Sequence, residues 1–159
     1  MGPRRRTAQE WLDAYGVCHT DPRNKALHWI CVPVITACVL AFLTALPAPE
    51  AMRQAGLDWA VVATAAALLF YLRLSPRLAA GMAVAAGAML AAIRWFDGAG
   101  IVPLWQAAAA LFVAAWIGQF VGHAIEGKRP SFVDDLQFLL IGPMWLLADC
   151  YRRLGWWPG

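Results

Sequence analysis

Charged residues are scarce in this chain. They make up 14% of its 159 residues, against about 25% in an average soluble protein. Hydrophobic residues account for 61% of the sequence, and the mean hydropathy is +0.55. The net charge of +3 is small, and the basic side chains do not form one face, which argues against nucleic-acid binding. The composition therefore predicts an integral membrane protein with a single domain over residues 1–159.

Several functional signatures are also missing. The sequence contains no glycine-rich phosphate loop, no G-x-S-x-G and no H-E-x-x-H. Its four cysteines form no C-x-x-C pair and no secreted context is evident, so we expect no disulfide framework. The basic N-terminus is followed by no apolar stretch before residue 26, which argues against a cleavable signal peptide.

Four apolar segments are candidates for crossing a bilayer, which takes about 20 mostly apolar residues. We predict transmembrane helices at about 26–49, 57–74, 76–94 and 101–125. The second and third segments are short, but flanking arginines can extend them by reaching the interface. The tight R-L-S-P-R turn between these two segments predicts a helical hairpin.

The N-terminal sequence predicts two helix starts. Thr7 and Glu10 have the spacing of a capping box, which predicts an amphipathic helix over 8–17. Asp21 and Pro22 suit the N-cap and the first position of a second helix. We expect that second helix to continue into the first membrane span.

The last apolar segment is short and contains Gly142-Pro143, which predicts a break. Segments of this length are more often re-entrant or interfacial than spanning. We therefore predict a re-entrant or interfacial helix at about 133–149. Together, these segments predict an all-α integral membrane fold with four transmembrane helices, an N-terminal amphipathic helix and this C-terminal segment.

The distribution of basic residues predicts the orientation of the spans. If the N-terminus is cytoplasmic, every lysine and arginine except Arg53 and Arg94 lies on the cytoplasmic side. The same topology puts His19, His28 and His123 at that membrane face. These are all the histidines in the sequence, although the topology was inferred from lysine and arginine alone.

The segment H-T-D-P-R-N-K-A-L-H joins the first two histidines. On an unbroken helix, His19 and His28 would lie on opposite faces, but the break at Asp21-Pro22 allows them to converge. Asn24 lies four residues before His28, on the same helix face. It could orient the imidazole or a ligand.

The segment G-H-A-I-E-G-K-R-P holds the third histidine. His123 and Glu126 are three residues apart and share a helix face, next to Lys128 and Arg129. Neutral imidazoles with a carboxylate suit iron(II), zinc, copper or nickel. Two histidines and a carboxylate with open positions would suit a non-haem iron oxygenase.

Plainer roles remain open for all of these residues. Each histidine could be an ordinary interfacial residue, and Glu126 could pair with Lys128 or Arg129 at the surface. Asp134 and Asp135 could cap the last helix or could support the metal ligands from outside. Polar residues close to a membrane span are, however, frequently functional.

Two motifs carry a resemblance to a known family. The first consists of Trp11, Tyr15, His19, Asn24, His28 and Pro33. The second runs from Trp116 to Leu136 as W-I-G-Q-F-V-G-H-A-I-E-G-K-R-P-S-F-V-D-D-L. In these motifs, and in L-I-G-P at 140–143, the chain resembles the membrane family of 2-hydroxy fatty acid dioxygenases. A fungal member of that family works in phytosphingosine degradation.

The resemblance implies an iron(II)-dependent enzyme that uses O2 to convert a 2-hydroxy fatty acid to the acid one carbon shorter. Histidines are the family's presumed iron ligands. Two positions depart from the family pattern. Cys31 stands where glycine is usual. The family usually has a glutamate near the end of the re-entrant segment, and the nearest acidic residue there in this chain is Asp149. We expect a bacterial inner-membrane location, and the bias of basic residues places the metal site on the cytoplasmic side.

Our hypothesis from the sequence is that His19, His28 and His123 bind Fe(2+). The 2-hydroxy acid would chelate iron through its hydroxyl and one carboxylate oxygen, O2 would take an open position, and the acyl tail would lie among the helices. The candidate catalytic residues are Glu126, which completes or supports the ligand set, Asn24 and Arg129. The candidate substrate-binding residues are Tyr15, Lys128 and Arg129.

Two rival functions follow from the same residues. The first is a non-enzymatic lipid-binding or scaffolding protein whose histidines are interface residues. The second is a different lipid-acting metalloenzyme, such as a zinc hydrolase or a hydroxylase. The expected partners are the fatty acid, O2 and membrane lipid, and a homo-oligomer is compatible with the sequence.

Overall fold

The computed structural model describes residues 6–129 and 137–156 of the chain. Within these ranges the regular structure consists of α-helices, which confirms the all-α prediction. They are α1 (Ala8–Gly16), α2 (Pro22–Ala45), α3 (Glu50–Gln54), α4 (Trp59–Leu74), α5 (Pro76–Ala99), α6 (Leu104–Glu126) and α7 (Phe138–Arg153). Asp134 and Asp135 lie outside the described residues.

Three of these helices, α2, α5 and α6, are long and apolar enough to cross a membrane. The remaining predicted span, at 57–74, corresponds to α4, which is apolar but has only 16 residues. At 1.5 Å per residue that helix is about 24 Å long, shorter than the hydrocarbon core of about 30 Å. Length and composition therefore support three spans, and the four-span count stays a prediction.

Helix α2 begins and ends earlier than the predicted span at 26–49. The Asp21 carboxylate accepts a hydrogen bond from the Arg23 amide at 2.8 Å, so the helix starts at Pro22, as the Asp-Pro signal predicted. It ends at Ala45 because Leu46 precedes a proline and takes an extended conformation. The uncharged stretch of sequence continues to residue 49, so the prediction based on it placed the end of the helix too late.

Capping determines the other helix ends near the site. The Glu10 amide donates to the Thr7 hydroxyl, and the Thr7 amide donates to the Glu10 carboxylate at 2.7 Å, which confirms the capping box. Gly127 ends α6 with a φ of +69°, a left-handed conformation that glycine adopts without strain. These caps fix the start of α1, which precedes His19, and the end of α6, which contains His123.

The predicted break at Gly142-Pro143 does not occur, because α7 continues through both residues to Arg153. Pro143 removes one helical hydrogen bond, but the helix is held on both sides of it by buried packing. Gly142 lies against α1, where a Cβ would approach the Tyr15 hydroxyl to 3.1 Å. The Tyr71 hydroxyl donates to the Leu140 carbonyl in the same part of α7. Tertiary contacts therefore override the local breaking signal.

Helices α2 and α6 pack closely because α6 has two glycines one turn apart. A Cβ on Gly118 would come within 2.6 Å of the Cys31 sulfur, and one on Gly122 would collide with the Asn24 side chain. Small residues four apart permit this kind of close approach between membrane helices. The contact also accounts for Cys31, which fills the space that Gly118 leaves open.

Candidate metal centre

The three histidines of the chain meet at one point. Their side chains are only 2%, 1% and 6% exposed for His19, His28 and His123. One nitrogen from each lies within 4.8 Å of the others. Among the described residues, these three histidines form the group of potential metal ligands that lie close enough together to hold one metal ion. The ring centroids are 4.2 Å apart for His19 and His28, and 5.0–5.2 Å from each to His123.

Backbone carbonyls orient two of the rings. The Nδ1 atom of His19 donates to the Tyr15 carbonyl at 2.6 Å, and Nδ1 of His28 donates to the Asn24 carbonyl at 3.0 Å. A carbonyl oxygen can only accept, so both Nδ1 atoms carry the hydrogen. In the neutral rings, both Nε2 atoms are consequently left with a lone pair. Tyr15 also stacks on His19 with centroids 4.2 Å apart.

The two Nε2 atoms of His19 and His28 lie 2.9 Å apart. Two facing lone pairs repel unless a cation lies between them. Burial lowers the pKa of His19 to about 4, so its ring is neutral near pH 7 and does not supply that cation itself. Two ligands at right angles, each about 2.0–2.1 Å from a metal ion, are separated by about 2.9 Å. The pair therefore has the spacing of adjacent metal ligands.

His123 completes the group from α6. Its Nδ1 atom is buried and has no hydrogen-bond partner in the part of the chain that the structure describes. Buried polar atoms are normally paired, and a metal ion or a bound ligand would satisfy this requirement. Three neutral imidazole donors fit iron(II) or zinc.

Glu126 ties the end of α6 to the loop that carries His19. Its carboxylate accepts hydrogen bonds from the Thr20 amide and hydroxyl, from the Asp21 amide at 2.9 Å and from the Asn24 side chain at 3.1 Å. It lies outside the group of converging ligand atoms. These contacts agree with a Glu126 that supports the metal ligands from outside. Direct metal binding by Glu126 stays a prediction.

Asn24 is fully buried between the same elements. Its side-chain amide donates to the Cys18 carbonyl at 3.1 Å and to the Glu126 carboxylate. Its main-chain carbonyl accepts a hydrogen bond from Nδ1 of His28. Asn24 therefore holds the imidazole through its backbone and the preceding loop through its side chain.

The predicted substrate-binding residues occupy different positions. Tyr15 lines the cavity beside the histidines. Lys128 donates to the Val17 carbonyl at 2.6 Å, at the end of α1, and Arg129 is exposed. Asp149 pairs with Arg153 at 2.9 Å. A contact of Lys128, Arg129 or Asp149 with substrate or metal stays a prediction.

A small cavity of about 50 Å³ adjoins the histidine cluster, and a larger one of about 450 Å³ lies next to it. The larger cavity is almost entirely apolar and lies among α2, α4, α5, α6 and α7. The two share part of their walls. The shared residues are Ile35, Thr36, Trp116, Leu139 and Pro143. The arrangement provides a polar end next to an apolar chamber.

Sequence reasoning assigned no role to Gln119, a polar residue of this cavity. Gln119 lies one helical turn before His123 and lines the same small cavity. A glutamine in the middle of an apolar segment was the available signal, because polar groups within a span are costly and tend to be functional.

Comparisons with known proteins point to one family. The family described as "2-hydroxy-palmitic acid dioxygenase Mpo1-like" matches residues 5–154 of this chain. The 2-hydroxy-palmitic acid dioxygenase MPO1 of Saccharomyces cerevisiae is 40% identical over 50 residues. That match covers 30% of this chain and 29% of the yeast protein. No solved structure matches the chain.

Proposed function

Because the chain belongs to the Mpo1-like family of 2-hydroxy-palmitic acid dioxygenases, we propose that it is an iron(II)-dependent membrane dioxygenase. It would convert a 2-hydroxy fatty acid and O2 to the fatty acid one carbon shorter. The bond between C1 and C2 breaks and C2 becomes the new carboxyl carbon. The old carboxyl carbon leaves as carbon dioxide, with one water, so one O2 balances the reaction.

The observation that carries this proposal is the pair of facing Nε2 atoms on His19 and His28, 2.9 Å apart. His19, His28 and His123 would hold the iron. When bound, iron(II) supplies a site at which O2 and the chelating 2-hydroxy acid meet. Tyr15 and Asn24 would keep the His19 and His28 rings aimed at that site through their carbonyls, since the protein's main task at a metal is orientation.

The two cavities suggest how the substrate lies. Its head group would occupy the small cavity beside the histidines, and its acyl chain the apolar chamber of about 450 Å³. Burial of the histidines excludes bulk water from the reacting atoms. Because the chamber lies among apolar helices, a fatty acid could enter from the bilayer.

Two basic residues near the site would have different roles, one in attracting the substrate and one in holding α1 in place. Arg129 is exposed at the end of the molecule where the histidines lie, and it would attract the carboxylate of an arriving fatty acid. Lys128 instead would hold the end of α1 next to the site. The bias of basic residues favours a cytoplasmic position for this end in a bacterial inner membrane.

Metal analysis of the purified protein tests the proposal. We expect bound iron in the wild type and its loss in His19→Ala, His28→Ala and His123→Ala. With 2-hydroxyhexadecanoate, the wild type should consume O2 and release the acid one carbon shorter, with no product under anaerobic conditions. A wild type without bound metal, together with a normally folded His28→Ala, contradicts the enzyme function and favours a lipid-binding or scaffolding role.

A different metalloenzyme is the second candidate, because three neutral imidazoles also form a common zinc site. Reconstitution of the metal-free protein with either iron(II) or zinc separates the two. Iron-dependent O2 consumption supports the dioxygenase. Hydrolysis of a fatty acyl ester by the zinc-loaded protein in the absence of O2 supports a hydrolase.

A further inference from the structure

Gln119 is a buried polar residue without an evident structural task. It lies in α6, one turn before His123, so both side chains are on the same helix face. Its side chain is 9% exposed and lines the small cavity together with Tyr15, His19 and His28. An apolar residue would serve packing equally well in this segment, so the amide calls for a chemical explanation.

The Oε1 atom of Gln119 is buried and accepts no hydrogen bond from any residue that the structure describes. Thr36, on the wall of the same cavity, already donates its hydroxyl to the Val32 carbonyl at 2.8 Å. Tyr15 stacks on His19. Gln119 is thus an uncommitted acceptor within a cavity that it shares with the three histidines, Tyr15 and Thr36.

We propose that Gln119 recognises the head group of the 2-hydroxy acid and thereby selects it over a fatty acid without the hydroxyl. This inference rests on the proposed function. The Oε1 atom accepts a hydrogen bond from the 2-hydroxyl, and the amide NH2 group can donate to the carboxylate. A site that pairs with a substrate hydroxyl rejects the analogue lacking it, because the buried acceptor is then left unpaired.

Binding measurements under anaerobic conditions test this role without turnover. The iron-loaded protein is titrated with 2-hydroxyhexadecanoate and with hexadecanoate, and the ratio of the two Kd values is compared between variants. Gln119→Met keeps the size and unbranched shape of the side chain but removes the amide. We expect it to reduce the preference for the hydroxylated acid about tenfold, because the hydrogen bond to the 2-hydroxyl is lost, while iron content stays nearly unchanged.

Gln106→Met is the matched control, because Gln106 is exposed on the same helix, about 20 Å away along its axis. It should behave as the wild type. Gln119→Glu adds a second readout, since a carboxylate here repels the carboxylate of either acid and should weaken the binding of both. That change would indicate that position 119 lies beside the bound carboxylate.

The possible failures are distinguishable. If Gln119→Met retains the full preference for the 2-hydroxy acid while the wild type binds iron, the role of Gln119 is wrong and the proposed function stands. If Gln119→Met loses iron, the residue supports the metal site instead and the inference is also wrong. A wild type that binds no iron contradicts the proposed function itself.

Discussion

The Nε2 atoms of His19 and His28 lie 2.9 Å apart, although each ring already donates its Nδ1 hydrogen to a backbone carbonyl. Neutral imidazoles in this orientation present two lone pairs to each other in a buried place. Their repulsion disappears when a cation occupies the space between them. A metal ion bound between these rings would therefore stabilise their arrangement.

This relationship predicts that metal binding stabilises the fold. Adding iron(II) to the metal-free wild type under anaerobic conditions should raise the Tm, because a ligand that binds only the folded state adds about 2.7 kcal/mol at 100 times its Kd. The measurement is thermal unfolding in detergent with and without iron(II). The His28→Ala variant is the comparison and should show no rise. An equal rise in both proteins would mean that iron acts elsewhere.

The carboxylate of Glu126 should matter through the loop that it holds. We expect Glu126→Gln to weaken the bonds from Thr20, Asp21 and Asn24 and to destabilise the protein by about 1–2 kcal/mol, since the carboxylate is partly exposed. Because the loop carries His19, iron affinity should fall about 10–100-fold.

The control for this experiment is Glu50→Gln, which removes an exposed carboxylate from a surface pair with Arg53. Iron affinity and unfolding temperature are measured for both variants. We expect the control to match the wild type. A Glu126→Gln variant with unchanged iron affinity would show that the loop keeps its geometry without this charge.

The close packing of α2 and α6 predicts a steric response at Gly122. Gly122→Ala places a methyl group against the Asn24 side chain, and overpacking of this kind costs about 1–3 kcal/mol. It should also disturb His28 through the Asn24 carbonyl and reduce iron content. Gly87→Ala is the matched control, because a Cβ on that helical glycine meets open space. It should be neutral or stabilising by up to about 1 kcal/mol. Thermal unfolding and iron analysis of both variants decide the matter.

The apolar chamber predicts a change in chain-length preference. Ala63 lines it two turns of α4 away from Tyr71, and Tyr71 contacts α7 near the shared wall. Ala63→Phe should therefore obstruct the far end and reduce turnover of 2-hydroxyhexadecanoate much more than turnover of 2-hydroxydecanoate.

Ala107→Phe provides the control for the chamber, because Ala107 lines a separate apolar groove among α2, α5 and α6. Its ratio of activities on the two acids should stay at the wild-type value. Equal losses on long and short acids in Ala63→Phe would mean that the acyl chain does not occupy the chamber.

Much of the local structure could be predicted because its signals act over a few residues. The capping box at Thr7 and the N-cap at Asp21 both depend on hydrogen bonds within one turn of helix. Pro143 shows the limit of local reasoning. Contacts of α7 with α1 and with Tyr71 hold the helix together at a residue that normally breaks one.

The uses of polar groups were harder to foresee. Lys128 was a candidate for binding a carboxylate, but its ammonium group holds the Val17 carbonyl. The sequence pattern suggested no role for Gln119, yet this residue lines the cavity next to the histidines. In both cases the sequence shows the donor or acceptor, but packing assembles its surroundings from distant segments.

The sequence by itself determined the membrane class, the helix starts and the residue types available for a metal, because composition, periodicity and capping are local properties. Only the tertiary structure decided that His19 and His28 meet His123, more than ninety residues further along the chain. That meeting depends on the contact between α2 and α6, where Gly118 and Gly122 let the helices approach. It also depends on Glu126, whose carboxylate fixes the loop between α1 and α2. Such geometry follows from steric fit and hydrogen bonds between distant segments, which no short stretch of sequence contains.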